Sequence, residues 1–144
     1  MSNKEIACFP IWFATIRKAV QKRQTEFLKP YGLSSIHAKY LVALVNCEEG
    51  MTLRELCEKL FVDKANTSRA IAALEELDYI EKKFLSTSMQ KYRICLTAKG
   101  NLLAQKVVDD MKKAYDILFA HLTSEELQTV HNVMIKIHEA ADDI

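Results

Sequence analysis

Apolar residues recur along this chain at two different periods, and the change of period divides it into parts. Phe9, Trp12, Phe13, Ile16 and Val20, followed by Phe27 and Leu28, advance by threes and fours, which predicts an amphipathic helix reaching about Lys29. Pro30-Tyr31-Gly32 ends it. Ser34 or Ser35 can cap a second helix carrying Ile36, Tyr40, Leu41, Leu44 and Val45, which stops at Glu48-Glu49-Gly50. Thr52 with Glu55 three residues later is a capping box, each side chain satisfying a free backbone amide at the other's position. It opens a short helix through Leu60.

Asp63 is the next N-cap, and no Gly or Pro interrupts the stretch from Lys64 to Leu77. At about 100° per residue, Thr67, Ala70, Ile71, Leu74 and Leu77 share the side that should face a core. Ala65, Ser68, Arg69 and Ala72 point the other way, with Lys64 and Asn66 at the flanks. After Asp78 the period becomes two. Tyr79, Ile80 and Phe84, then Tyr92, Ile94 and Leu96, bracket a polar tip from Ser86 to Lys91 and predict a β-hairpin. Thr97 can cap a long helix bearing Leu103, Val107, Met111, Ala114 and Leu118. Thr123 and Glu126 form a second capping box before a last helix with the stripe Leu127, Val130, Met134, Ile137 and Ala141.

The expected fold is therefore mainly α with a small β-hairpin wing. A winged helix-turn-helix lobe at 34–100 is flanked by terminal helical regions at 1–30 and 101–144, and the whole is read as one domain, 1–144. With 144 residues, 49% of them hydrophobic, and only 3 Gly and 2 Pro, the chain is long and apolar enough for one folded domain. No apolar run approaches the roughly 18 to 20 residues of a membrane span, and the start lacks a signal-peptide pattern, so the expected compartment is the cytoplasm and no membrane is expected as partner. Cys8, Cys47, Cys57 and Cys95 stand singly, with neither metal-site nor disulfide-framework spacing, and are read as reduced thiols.

The net charge of +1 matters less than its distribution. From Lys82 to Lys106 there are six basic residues, Lys82, Lys83, Lys91, Arg93, Lys99 and Lys106, and no acidic one, whereas Glu125, Glu126, Glu139, Asp142 and Asp143 crowd the region after His121. In a winged helix-turn-helix the second motif helix lies in the DNA major groove and needs short polar and basic side chains near its N-terminus. Lys64, Asn66, Ser68 and Arg69 meet that need. Asparagine can pair bidentately with adenine and arginine with guanine, and Lys64 suits a phosphate. The alternative for the same residues is a solvated helix face. For Lys82, Lys83, Lys91 and Arg93 it is a charged hairpin that blocks edge pairing.

The runs LSSIHAKYLVALV, TLRELCEKLFVDKANTSRAIAALEELDYIEKK and YRICLTAKG resemble the MarR family of bacterial winged-helix transcription regulators, over Leu33 to Gly100. The resemblance rests above all on Val62-Asp63-Lys64, Ser68-Arg69, Leu74-Glu75 and Leu96-Thr97-x-Lys99-Gly100. It implies a homodimer with intertwined terminal helices, a recognition helix from Asp63 to about Leu77, and a wing near Ser86 to Lys91 that enters the minor groove. Two positions depart from the family pattern. Ser88-Met89-Gln90, followed by Lys91, stands where the wing usually carries an Asp-x-Arg element, so Gln90 and Lys91 are the candidate wing contacts. Asp78 stands where Gly is common, a turn position that Asp tolerates.

Other features admit two readings each. Cys8 lies roughly where peroxide-sensing members of the family place a reactive thiol, or is an inert cysteine. Phe9, Trp12, Phe13 and Phe27 line a pocket for a small aromatic effector, as in the family's aromatic-ligand sensors, or are simply core and dimer interface. His37, His121, His131 and His138 lack the spacing of a helical metal site, and no metal or other cofactor is expected. With no phosphate loop or nucleophile elbow, the chain is not expected to be an enzyme. The expected function is sequence-specific binding of double-stranded DNA at a pseudopalindromic operator, with repression released by a small molecule or stress signal. The alternative is a winged-helix module that binds protein and not DNA.

Overall fold

The computed structural model describes residues 1–85 and 91–144. A single helical turn, α1 (Asn3–Ile6), precedes the long α2 (Phe9–Leu28), and the 3-10 turn Lys29–Tyr31 leads to α3 (Ser35–Leu44), α4 (Leu53–Leu60) and α5 (Lys64–Glu76). Strands β1 (Ile80–Phe84) and β2 (Tyr92–Leu96) pair antiparallel, and α6 (Ala98–Leu118) and α7 (Ser124–Ala141) follow. This is the winged helix-turn-helix with flanking helices that the periodicity predicts. The first helix differs from expectation because Ser2 and Glu5 cap a separate first turn, and α2 then restarts with Pro10 near its start, where a missing N–H breaks no helical hydrogen bond.

The chain divides into two compact units, Met1–Met111 and Lys112–Ile144. In the first, Leu28, Tyr40, Leu41, Leu44, Leu56, Leu74, Ile80, Ile94 and Val107 are fully buried. Each contributes roughly 2 kcal/mol of hydrophobic stabilisation. The buried polar side chain Thr67 meets the Tyr40 hydroxyl at 3.2 Å, tying α3 to α5 inside that core. Arg23 donates to both carboxylate oxygens of Asp110, at 2.9 and 2.7 Å, and so fixes α2 to α6. In α3 and α5, two positions of the predicted stripes fall outside the core: Ile36 is exposed near the start of α3, and Leu77 lies past the last turn of α5.

Close backbone approaches set the hairpin in place. Thr97 Oγ1 donates to the Asp78 carbonyl at 2.6 Å and accepts the Gly100 N–H at 3.0 Å, capping α6 against the start of β1. A Cβ on Gly100 would stand 1.8 Å from the Tyr79 carbonyl oxygen, so only glycine allows that approach. Asp78 is left-handed at φ +63, the backbone a glycine would adopt freely. In the second unit Thr123 and Glu126 form the expected capping box, Lys112 pairs with Asp116 at 2.7 Å, and no residue of α7 is buried.

Candidate nucleic-acid interface

The helix-turn-helix is built by α4 and α5. Thr52 accepts the Glu55 N–H at 3.1 Å and Glu55 accepts the Thr52 N–H at 2.9 Å, which fixes where α4 starts. The turn that follows passes through Phe61, which is in the left-handed region at φ +52 and 77% exposed. Asp63 then caps α5 by accepting the Asn66 N–H at 2.7 Å. Thr67, Ala70, Ile71 and Leu74 turn inward, which leaves Lys64, Ala65, Asn66, Ser68, Arg69 and Ala72 exposed on the opposite side.

Two of these polar side chains act as one unit with Asp63. The Asn66 side-chain amide donates to Asp63 Oδ2 at 2.6 Å, and Arg69 donates to Asn66 Oδ1 at 2.5 Å. The backbone and side-chain hydrogen bonds from Asn66 hold the Asp63 carboxyl below its ordinary pKa, so it is ionised beside Arg69. Asn66 and Arg69 are thus oriented before any ligand arrives, one turn from the N-terminus of α5.

Two grooves flank this half of α5. Toward the hairpin, a groove of about 750 Å³ is lined by the cations Arg54, Lys64 and Lys91, with Leu53, Val62 and Tyr92 among its walls. Toward α3, one of about 460 Å³ is lined by Lys39 and Arg69 together with Asn66. Arg54 and Lys39 join the candidate residues only in three dimensions. Arg54 had one signal in the sequence, its place in the exposed first turn of a helix whose stripe is Leu53, Leu56 and Leu60.

The hairpin's charges have a different disposition. Leu85 donates to the Lys91 carbonyl at 3.0 Å, so the strands are still paired where the tip begins, and Lys91 is exposed. The tip residues 86–90, including Gln90 and the departure at Ser88-Met89-Gln90, lie outside the described residues. Arg93 turns back on the α3–α4 turn and donates to the carbonyls of Glu49 and Gly50, each at 2.9 Å, and to Glu55 at 3.3 Å. Lys99 donates to the Leu77 carbonyl at 2.8 Å and lies over the Tyr79 ring. Lys82 sits 3.9 Å from Glu75 and over Tyr92, and Lys83 sits 3.8 Å from Glu81. The basic run that looked continuous in the sequence is therefore engaged largely with the protein itself.

The remaining candidates sit elsewhere. Cys8 is the residue before α2, its thiol 3.4 Å from the Lys4 carbonyl. Phe9, Trp12 and Phe13 cluster at 5.4 and 6.3 Å and are exposed, whereas Phe27 packs on Tyr31 against the lobe's core. About 20 Å of helix separates the two groups, so within one chain the four do not converge. His37 accepts the Ser34 N–H at 3.1 Å, and burial holds its imidazole below the ordinary pKa. Among the described residues no three His, Cys, Asp or Glu side chains gather as a metal site would require.

Residues 31–86, which span the whole helix-turn-helix and β1, match the family model described as "MarR family". Over these residues the chain is similar to the MarR family. Among its relatives, it is 29% identical over 117 residues to the HTH-type transcriptional regulator BilQ of Clostridioides difficile, covering 81% of this chain and 76% of that one. Its fold is that of a MarR transcriptional regulator from Methanosarcina mazei, TM-score 0.84 at 22% identity over 99% of this chain and 93% of that chain. It also matches a MarR family regulator from Listeria monocytogenes complexed with 26mer DNA, TM-score 0.82 at 23% identity over 91% and 87% of the two chains. No helix among the described residues is long and apolar enough to cross a membrane.

Proposed function

We propose that this chain is a cytoplasmic, sequence-specific transcription regulator that binds a pseudopalindromic operator as a homodimer and represses from it. The observation that carries the reading is the disposition of α5, whose polar N-terminal half stands exposed and pre-oriented between two cation-lined grooves while its other face is locked in the core. In this reading Arg69 and Asn66 contact base edges, Ser68 lies against the groove floor, and Lys64, Lys91 and Arg54 hold phosphates. Similarity to the MarR family supports the same docking, with α5 in the major groove and the hairpin, including Gln90, toward the minor groove.

The terminal helices support the dimer. Phe9, Trp12, Phe13 and Ile16 on α2, and Leu127, Val130, Met134 and Ile137 on α7, leave apolar faces exposed that a monomer would rarely tolerate. The lobe at 34–100 then reads DNA while 1–30 and 101–144 pair the two copies and set the spacing of the two α5 helices. A small aromatic effector, or oxidation at Cys8, that acts on the paired helices would alter that spacing and release the operator.

Titrating binding to DNA from the protein's own upstream region against salt tests the assignment. Contacts to several phosphates predict affinity falling steeply and linearly on a log–log plot. A lobe that binds protein instead of DNA gives no shift with that DNA, or a response that salt barely moves, and that result overturns the reading.

A further inference from the structure

Two of the four cysteines, far apart in sequence, line one cavity. Cys47 lies in the turn between α3 and α4, where its carbonyl accepts the Gly50 N–H at 3.0 Å and its thiol lies 3.4 Å from the Gly50 carbonyl. Met51 and Ile94 exchange two backbone hydrogen bonds, at 3.0 and 2.7 Å, so Gly50 falls opposite Cys95 of β2. The Cys95 sulfur rests on the bare α-carbon of Gly50, where an added Cβ would stand 2.4 Å from it. Both cysteines line the same cavity of about 140 Å³, together with Lys83 and Asn101.

We propose that Cys47 and Cys95 are a redox pair that closes to a reversible intrachain disulfide at the root of the hairpin. A disulfide needs α-carbons within about 7 Å and converging Cβ directions. The hydrogen-bonded turn holds Cys47 within about 7 Å of Gly50, the antiparallel bridge holds Cys95 about 5 Å from the same glycine, and both residues line one cavity, so closure needs only the α3–α4 turn to draw the two α-carbons within that limit. Unequal exposure assigns the roles. Cys47 is half-buried and reachable, and Cys95 is buried and suited to resolve.

With hydrogen peroxide as oxidant, the Cys47 sulfur attacks one peroxide oxygen, the O–O bond breaks, and a sulfenic acid forms as one water leaves. The Cys95 sulfur then attacks the Cys47 sulfur, the S–O bond breaks, and a second water leaves. The two thiols give up two electrons and two protons, and the peroxide takes both. The α3–α4 turn is already held to β2 by Arg93 through the carbonyls of Glu49 and Gly50. The disulfide makes that junction covalent, independently of Cys8 and of whether the lobe binds DNA.

The test is thiol counting and peptide mapping of the reduced full-length protein after brief treatment with hydrogen peroxide. The four thiols should fall to two, with a Cys47–Cys95 link within one chain that dithiothreitol reverses. The loss should persist in Cys8→Ser/Cys57→Ser and vanish in Cys47→Ser. The wild-type map decides the matter even if variants of buried Cys95 fold poorly. Over-oxidised Cys47 beside a free Cys95, a link through Cys8 or Cys57, a link between chains, or no reaction at either cysteine each overturns the proposal.

Discussion

Helix α5 and the hairpin that follows it both carry polar and basic side chains, yet they hold them in opposite ways. On α5 the network runs along the exposed surface from Asp63 through Asn66 to Arg69, leaving those groups directed outward. In the hairpin region Arg93 and Lys99 bond backbone carbonyls of neighbouring segments, and Lys82 and Lys83 face carboxylates. A count of charges in the sequence gives the second region more cations, but geometry leaves the first better placed to meet a ligand. What distinguishes them is what else each cation can reach.

The strongest way to probe the inward-turned region is Gly100→Ala. Its Cβ would collide with backbone at Tyr79, where no side chain can yield, so we expect a loss of about 3 kcal/mol or more in urea denaturation. Full stability in that variant would mean the hairpin is not seated as described. Next in size are Arg54→Ala and Lys91→Ala, which should each weaken DNA binding across all sequences and lower the salt slope by about one. Stability should barely change, because the exposed Arg54–Glu58 pair contributes little. If either variant altered sequence preference instead, the division between base-reading and phosphate-holding residues would need redrawing.

A smaller effect tests the support beneath α5. His37 has its pKa lowered by burial, so the unfolded chain takes up its proton more readily than the folded one. The stability this provides is complete above about 6.5 and declines as pH falls below that value. Thermal unfolding of His37→Gln should lack this part of the acid decline, and an unchanged acid profile in the variant would remove His37 from the account. The smallest change belongs to Asp78→Gly. Relief of the left-handed strain should leave stability unchanged or raised by up to about 1 kcal/mol, whereas a clear loss would show that the aspartate itself is needed.

Much of this was legible in the sequence, for reasons that vary by element. The caps at Thr52, Asp63 and Thr123 and the two faces of α5 depend on residues three or four apart, and local spacing reports them faithfully. Asp78 was visible as a departure from the family pattern and Gly100 as part of a motif that matches it, though not the Tyr79 carbonyl that explains the glycine. The partners of Arg93 lie 38 to 44 residues away and those of Lys99 22 away, so no local pattern could separate an engaged cation from a free one. Lys39 and Arg54 were hidden for the converse reason. Each looks like an ordinary exposed helix residue until the grooves beside α5 exist.

The central claim, that outward-facing Arg69 serves binding while inward-facing Arg93 serves the fold, is best tested by measuring both properties on both alanine variants. Arg69→Ala should weaken operator binding roughly tenfold or more at an unchanged urea midpoint. Arg93→Ala should lose about 1.5 to 3 kcal/mol of stability, as expected for charged hydrogen bonds, while folded protein binds DNA within about threefold of wild type. The reverse result, with Arg93→Ala abolishing binding at full stability and Arg69→Ala leaving it intact, would contradict the account.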